Sequence, residues 1–152
     1  MVTKTKYHHG DLRKSLVSTA SDMVAEDGIE GLSLRKLAEK IGVSRTAAYH
    51  HFTDKNDLLC AIAEQAFECW HQISSEIFSQ ENLSNVDKYR SFVHAYIGFA
   101  NENPSLYELM FGRVIWKENN STAALKDIAY TSFNYQVEMI KLWQEQGIIN
   151  SE

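Results

Sequence analysis

A helical period runs through almost the whole of this chain, and that period decides its fold class. Apolar residues recur three and four positions apart from Leu12 to Trp143, and no stretch alternates convincingly with period two. A single proline and seven glycines in 152 residues leave little to interrupt long helices. The expected fold is all-α, with seven helices and no strand.

The first helix is expected over about residues 11–27, capped by Asp11, with Leu12, Leu16, Ala20, Met23 and Val24 on one face. Gly28 follows as a left-handed residue, then apolar Ile29. Ser33 caps a second helix that buries Leu34, Leu37, Ala38 and Ile41 and stops at Gly42. Ser44 caps a short third helix with Ala48 and Phe52 inward, and Val43 is placed to pack on Ala48. Asp54, with Asp57 three residues on, opens a long fourth helix to about Ser79, whose stripe is Leu59, Ile62, Ala66, Phe67, Trp70, Ile73 and Ile77. A fifth starts near Ser84 and carries Tyr89, Phe92, Val93, Tyr96, Ile97 and Ala100. Asn103-Pro104 ends it and starts a sixth, which Gly112 closes. The seventh spans about Ser121 to Gln146, with Leu125, Ile128, Phe133, Val137, Ile140 and Trp143 inward, and Gly147 ends it.

Composition removes several function classes. No apolar run reaches the roughly 18–20 residues of a membrane span, and the N-terminus lacks the apolar segment of a secretory leader. A cytoplasmic protein is expected. Cys60 and Cys69 lie nine apart on one helix, about 13 Å, too far for a bridge, and are expected as small, partly buried thiols. Neighbouring side chains on a helix diverge by about 100°, so neither His50-His51 nor Cys69-x-His71 converges on one ion. With no glycine-rich phosphate loop and no paired carboxylates, neither catalysis, a metal nor a cofactor is expected. The net charge of −5 is uneven: residues 1–60 sum to +1 and the remainder to −6. An acidic body repels phosphate, so any nucleic-acid contact must come from the N-terminal part.

That part holds the most informative segment, SLRKLAEKIGVSRTAAYHHFTDK, from Ser33 to Lys55. Two short helices meet across Ile41-Gly42-Val43, a turn tight enough to cross them steeply. The second then projects Arg45, Thr46, Ala47, Tyr49 and His50 outward. Thr46 and Ala47 are short enough for close approach to base edges, and Arg45 suits a guanine edge or a phosphate. Tyr49, His50, His51 and Lys55 have the reach for phosphates, and Ser33 and Arg35 stand where a positioning helix meets the duplex backbone. Lys4, Lys6 and Arg13 can form a basic arm.

The stretch from Tyr7 to Gln65, through SLRKLAEKIGVS and the Tyr49-His50-His51-Phe52 run to Lys55, resembles the head of TetR-family transcriptional regulators. The resemblance implies a helix-turn-helix DNA-binding domain over 1–53 and a helical ligand-binding and dimerisation body over 54–152, joined by a long helix. It implies that the third helix enters the major groove, with Ser33, Arg35, Arg45, Thr46, Ala47, Tyr49, His50, His51 and Lys55 at the family's DNA-contact positions. Ile97 to Val114, IGFANENPSLYELMFGRV, is similar to one subgroup of the family's bodies. The implied partners are a double-stranded DNA operator and a small-molecule effector whose binding releases a repressor. Trp70, Tyr96 and Tyr107, each with a polar tip on an apolar ring, are the candidate ligand contacts. Family members continue into two further helices that form a twofold interface. This sequence stops at Glu152, so the resemblance implies an incomplete body and leaves the homodimer open. The rival reading is a helical protein-interaction module that does not bind DNA.

Overall fold

The computed structural model describes residues 9–117 and 120–150, with the side chains of 9–11 outside it. Its helices are α1 (His9–Gly31), α2 (Leu34–Ile41), α3 (Arg45–His51), α4 (Lys55–Phe78), α5 (Asn85–Glu102), α6 (Pro104–Phe111) and α7 (Ala123–Glu145). No strand occurs among the described residues. The chain forms two compact units, Met1–Ile62 and Ala63–Glu152, divided within α4. No described helix is long and apolar enough to cross a membrane.

In the first unit, α2 packs against both α1 and α3. Leu12, Leu16, Ala20, Met23 and Val24 are buried along α1, joined by Val17. They enclose Leu34, Leu37 and Ala38 of α2, Ala48 and Phe52 at α3, and Leu58, Leu59 and Ile62 at the start of α4. Ile41 is only half-buried, because the last turn of α2 runs past the edge of this small core. The backbone is already helical at His9, so Asp11 lies within α1 and is not its cap. Gly28 has φ 72 and ψ 175. The positive φ is as expected, but the extended ψ belongs to a region essentially reserved for glycine. Helical turns resume after it as far as Gly31.

The second unit is the rest of α4 with α5, α6 and α7. Its core is aromatic. Trp70 meets the rings of Tyr96 at 5.4 Å, Phe92 at 5.7 Å and Phe99 at 5.7 Å. Trp143 meets those of Tyr89, Phe78 and Phe92 at 5.2, 5.3 and 5.6 Å. Such edge and tilted pairs add to the burial of large rings. Asn103 ends α5 and Pro104 opens α6, where the missing N–H of proline costs nothing. Thr122, one residue after the expected start, caps α7: its hydroxyl accepts from the Leu125 N–H and donates to Glu64 Oε1 at 2.8 Å.

Three apolar expectations fail in this unit. Ile97 is 54% exposed, Phe133 64% and Ile140 38%. On α7 the inward row is Leu125, Ile128, Ser132, Tyr135, Met139 and Trp143, with Ser132 fully buried in its middle. Phe133 and Ile140 belong to a second, outward stripe with Tyr130. Cys69 is exposed on α4 and only Cys60 is buried.

Two glycine substitutions test this backbone by urea denaturation. Gly28→Ala should cost about 1–3 kcal/mol, because alanine must adopt glycine's dihedrals. Gly98→Ala, inside α5 where an added Cβ meets nothing within 4 Å, should gain about 0.5–1 kcal/mol. Equal effects at the two sites would contradict the kink at Gly28.

Candidate nucleic-acid interface

The candidate interface is built by the turn between α2 and α3. Gly42 has φ 82 and ψ 30, the left-handed conformation that lets α2 end abruptly. Its N–H donates to Glu39 O at 3.3 Å and to Ala38 O at 2.9 Å, and the Val43 N–H also donates to Ala38 O, at 3.0 Å. This paired closure satisfies carbonyls that the helix end would otherwise orphan. One residue later the Ser44 hydroxyl accepts from the Ala47 N–H at 3.1 Å and starts α3. Ser33 does the same for α2 through the Lys36 N–H, at 3.2 Å. After α3, Asp54 Oδ1 accepts from the Asp57 N–H at 2.8 Å and opens α4. Asp57 reaches back to the Thr53 N–H at 2.9 Å, a capping box displaced by one residue.

These caps fix which side of α3 faces out. Ala48 and Phe52 are buried, and the Arg13 guanidinium lies 5.2 Å from the Phe52 ring centre, pinning the end of α3 to α1. Arg45, Thr46, Tyr49 and His50 are exposed, Tyr49 at 53%. Ala47 and His51 are half-buried, so the outward face is narrower than the sequence suggests. The His50 and His51 rings meet edge-on at 5.7 Å. Arg35 is exposed on the first turn of α2, while Ser33 and Lys55 are half-buried at helix starts. All nine sequence-predicted positions lie within this unit, spread from the start of α2 to the start of α4. Lys4 and Lys6 lie outside the described residues. One participant escaped the sequence reading: Glu39 on α2 places its carboxylate 3.6 Å from Arg45 Nη2.

In the second unit the three candidate ligand contacts do come together. Tyr96 and Tyr107 share a hydroxyl–hydroxyl hydrogen bond of 2.9 Å, and Trp70 packs edge-on against Tyr96. Trp70 is buried and its Nε1 has no hydrogen-bond partner. Burial, reinforced by the Tyr107 hydroxyl, pushes the Tyr96 phenol up from 10.0 to about 12. A cleft of about 250 Å³ opens among Phe78, Lys88, Tyr135, Met139 and Trp143. Trp116, Tyr130 and Phe133 border a shallower groove of about 550 Å³. Neither is lined by the tyrosine pair. Among the described residues no group of three or more His, Cys, Asp or Glu is placed to hold a metal ion.

Two short helices joined by a left-handed glycine, the second of them outward-facing, make the first unit a helix-turn-helix. Residues 16–62 match the family model described as bacterial regulatory proteins, tetR family. The chain is 36% identical over 81 residues to the tetracycline repressor protein class C of Escherichia coli, covering 53% of this chain and 34% of that repressor. The matched stretches span about a third or less of such curated relatives. Among solved structures, a protein of unknown function from Rhodococcus sp. RHA1 superposes with a TM-score of 0.80 at 29% identity. That superposition covers 98% of this chain and 76% of the other. A TetR transcriptional regulator from Legionella pneumophila shares the fold, with a TM-score of 0.65 at 18% identity over 99% of this chain and 77% of its own. Residues 16–62 are thus similar to the domain of bacterial regulatory proteins of the tetR family, and the fold of the chain is shared with solved regulators of that kind.

The tyrosine pair predicts a pH dependence. Because the Tyr96 pKa is raised on folding, its protonated form is favoured in the native state. That contribution is complete below pH 10.0 and is lost as pH rises towards about 12. In thermal melts across this range, Tyr96→Phe should flatten the alkaline loss of stability relative to the wild type. Parallel curves for the two proteins would show that the pair does not titrate this way.

Proposed function

We propose that this chain is a sequence-specific DNA-binding transcriptional regulator, acting as a repressor that a small-molecule effector releases from its operator. The observation that carries the reading is the outward face of α3, where Arg45, Thr46, Tyr49 and His50 stand clear of the core on a capped helix-turn-helix. A helix so presented fits the major groove, with short Thr46 near base edges and longer side chains at phosphates. The same nine positions are proposed as contacts: Ser33, Arg35, Arg45, Thr46, Ala47, Tyr49, His50, His51 and Lys55. Residues 1–53 are the proposed DNA-binding domain and 54–152 the proposed regulatory body. A cytoplasmic site of action goes with genomic DNA as partner.

For the body we propose an effector that is largely apolar with at least one hydrogen-bond acceptor. An aromatic core and the unsatisfied Trp70 Nε1 support that chemistry, since a buried donor without a partner costs about 1–3 kcal/mol. We propose further that two copies act together, because heads about 34–36 Å apart occupy successive major grooves. The outward apolar stripe of Tyr130, Phe133 and Ile140 supports association, since contiguous exposed apolar surface marks contact sites. An effector favouring one tilt of α4 would change that spacing and weaken both half-sites together.

Binding to random duplex DNA across a salt series tests the reading. If each bound unit neutralises roughly four phosphates, affinity should fall by about a hundredfold between about 50 and about 200 mM salt. No binding at low salt would favour a protein-interaction module instead. Tyr49→Ala should weaken DNA binding by about tenfold with little change in melting temperature, and a large loss of stability would make the ring a core element. Arg45→Ala should cost about 1–3 kcal/mol of discrimination at one base pair, whereas an equal loss on all sequences would reduce Arg45 to a phosphate contact.

A further inference from the structure

We infer that Glu39 is a specificity-determining positioning residue, holding the Arg45 guanidinium for base readout and against capture by the phosphate backbone. The inference rests on the DNA-binding reading. Glu39 lies on the last turn of α2 and Arg45 on the first of α3, and the Gly42 turn brings the carboxylate to 3.6 Å from Nη2. Both side chains are well exposed, at 59% and 63%. An exposed pair of this kind contributes little to folding, so stability does not explain an acidic group on a surface facing a polyanion.

The carboxylate has two effects on the arginine. It neutralises the guanidinium locally, which reduces the pull of the nearest phosphate, a contact that carries no sequence information. It also stands beside the Nη2 end of a planar group with five N–H donors, an ion pair at 3.6 Å that leaves those donors available for guanine O6 and N7. Docking removes water from the pair and lowers the local dielectric, so the attraction that is screened in the free protein strengthens at the interface. A phosphate brought towards Arg45 instead meets the Glu39 charge. The carboxylate therefore penalises the non-specific mode more than the specific one, which is how an acidic residue raises selectivity. Lys40, its sequence neighbour, is held by Glu26 at 3.0 Å and does not compete for Glu39.

The test uses the whole chain and two probes: a duplex that the wild type selects from a pool with a randomised core, and a random-sequence duplex of equal length. Glu39→Gln should leave the melting temperature unchanged, bind the random duplex as tightly as the wild type or tighter, and reduce the ratio of selected to random affinity about fivefold. In an Arg45→Ala background, Glu39→Gln should leave that ratio unchanged. An unaltered ratio in the first comparison, or an equal reduction in both backgrounds, overturns the role assigned to Glu39 while leaving DNA binding intact. A wild-type chain that selects no sequence from the pool refutes the DNA reading itself, and this inference with it.

Discussion

The left-handed backbone at Gly42 governs the first unit more than any other feature. Three residues separate the last turn of α2 from the first of α3, too few for a wandering loop. The Gly42 and Val43 amides close α2 onto Ala38 and Glu39, and Ser44 opens α3 immediately afterwards. With both ends satisfied locally, the crossing is set by backbone hydrogen bonds, and the small core has only to accept it. A β-carbon at Gly42 would meet no steric obstacle, so the requirement is conformational: an L-residue with a side chain strains at φ 82. If this turn shifts, Ala48 and Phe52 leave the core, and the outward face of α3 loses its direction.

Helix starts were the most legible part of the sequence, because a cap is a bond between residues two or three apart. Ser33, Ser44, Asp54 and Ser84 all make the bonds that their spacing implies. Burial was less legible where a helix carries two apolar rows. On α7 a serine occupies the centre of the buried row, so hydrophobicity pointed one residue too far, to Phe133. Only the packing of neighbouring helices decides which row turns inward, and spacing within one helix does not contain that information. The same limit explains Ile97 on α5 and Ile41 at the edge of the head.

The candidate interface shows a similar division. Arg45, Thr46, Tyr49 and His50 were legible as outward because Ala48 and Phe52 define the opposite side of a short helix. Glu39 was not, since its relation to Arg45 exists only once the turn has folded. The one available signal was a pair of opposite charges flanking Gly42 at three residues on either side. Tyr96 and Tyr107 are eleven residues apart, and the bend at Asn103-Pro104 brings their hydroxyls together. Their hydroxyls hydrogen-bond to each other, a contact that exists only once the bend has formed.

Charge sets the remaining constraint on how such a protein can work. Residues 1–60 carry a net charge of only +1 and the rest −6, so under the proposed DNA-binding function bulk attraction is weak and geometry must supply most of the selectivity. Under that condition each basic side chain at the interface matters, and so does whatever steers it. A strongly basic head binds every duplex and gains little from one arginine held in place. A nearly neutral head gains more, because its non-specific binding is already low and further neutralisation of Arg45 lowers it again. For the proposed pairing of two copies, weak attraction in each head makes the second contact more valuable, since a second contact at high local concentration multiplies small affinities. The modest charge of the head and the carboxylate beside its leading arginine are thus parts of the same physical arrangement.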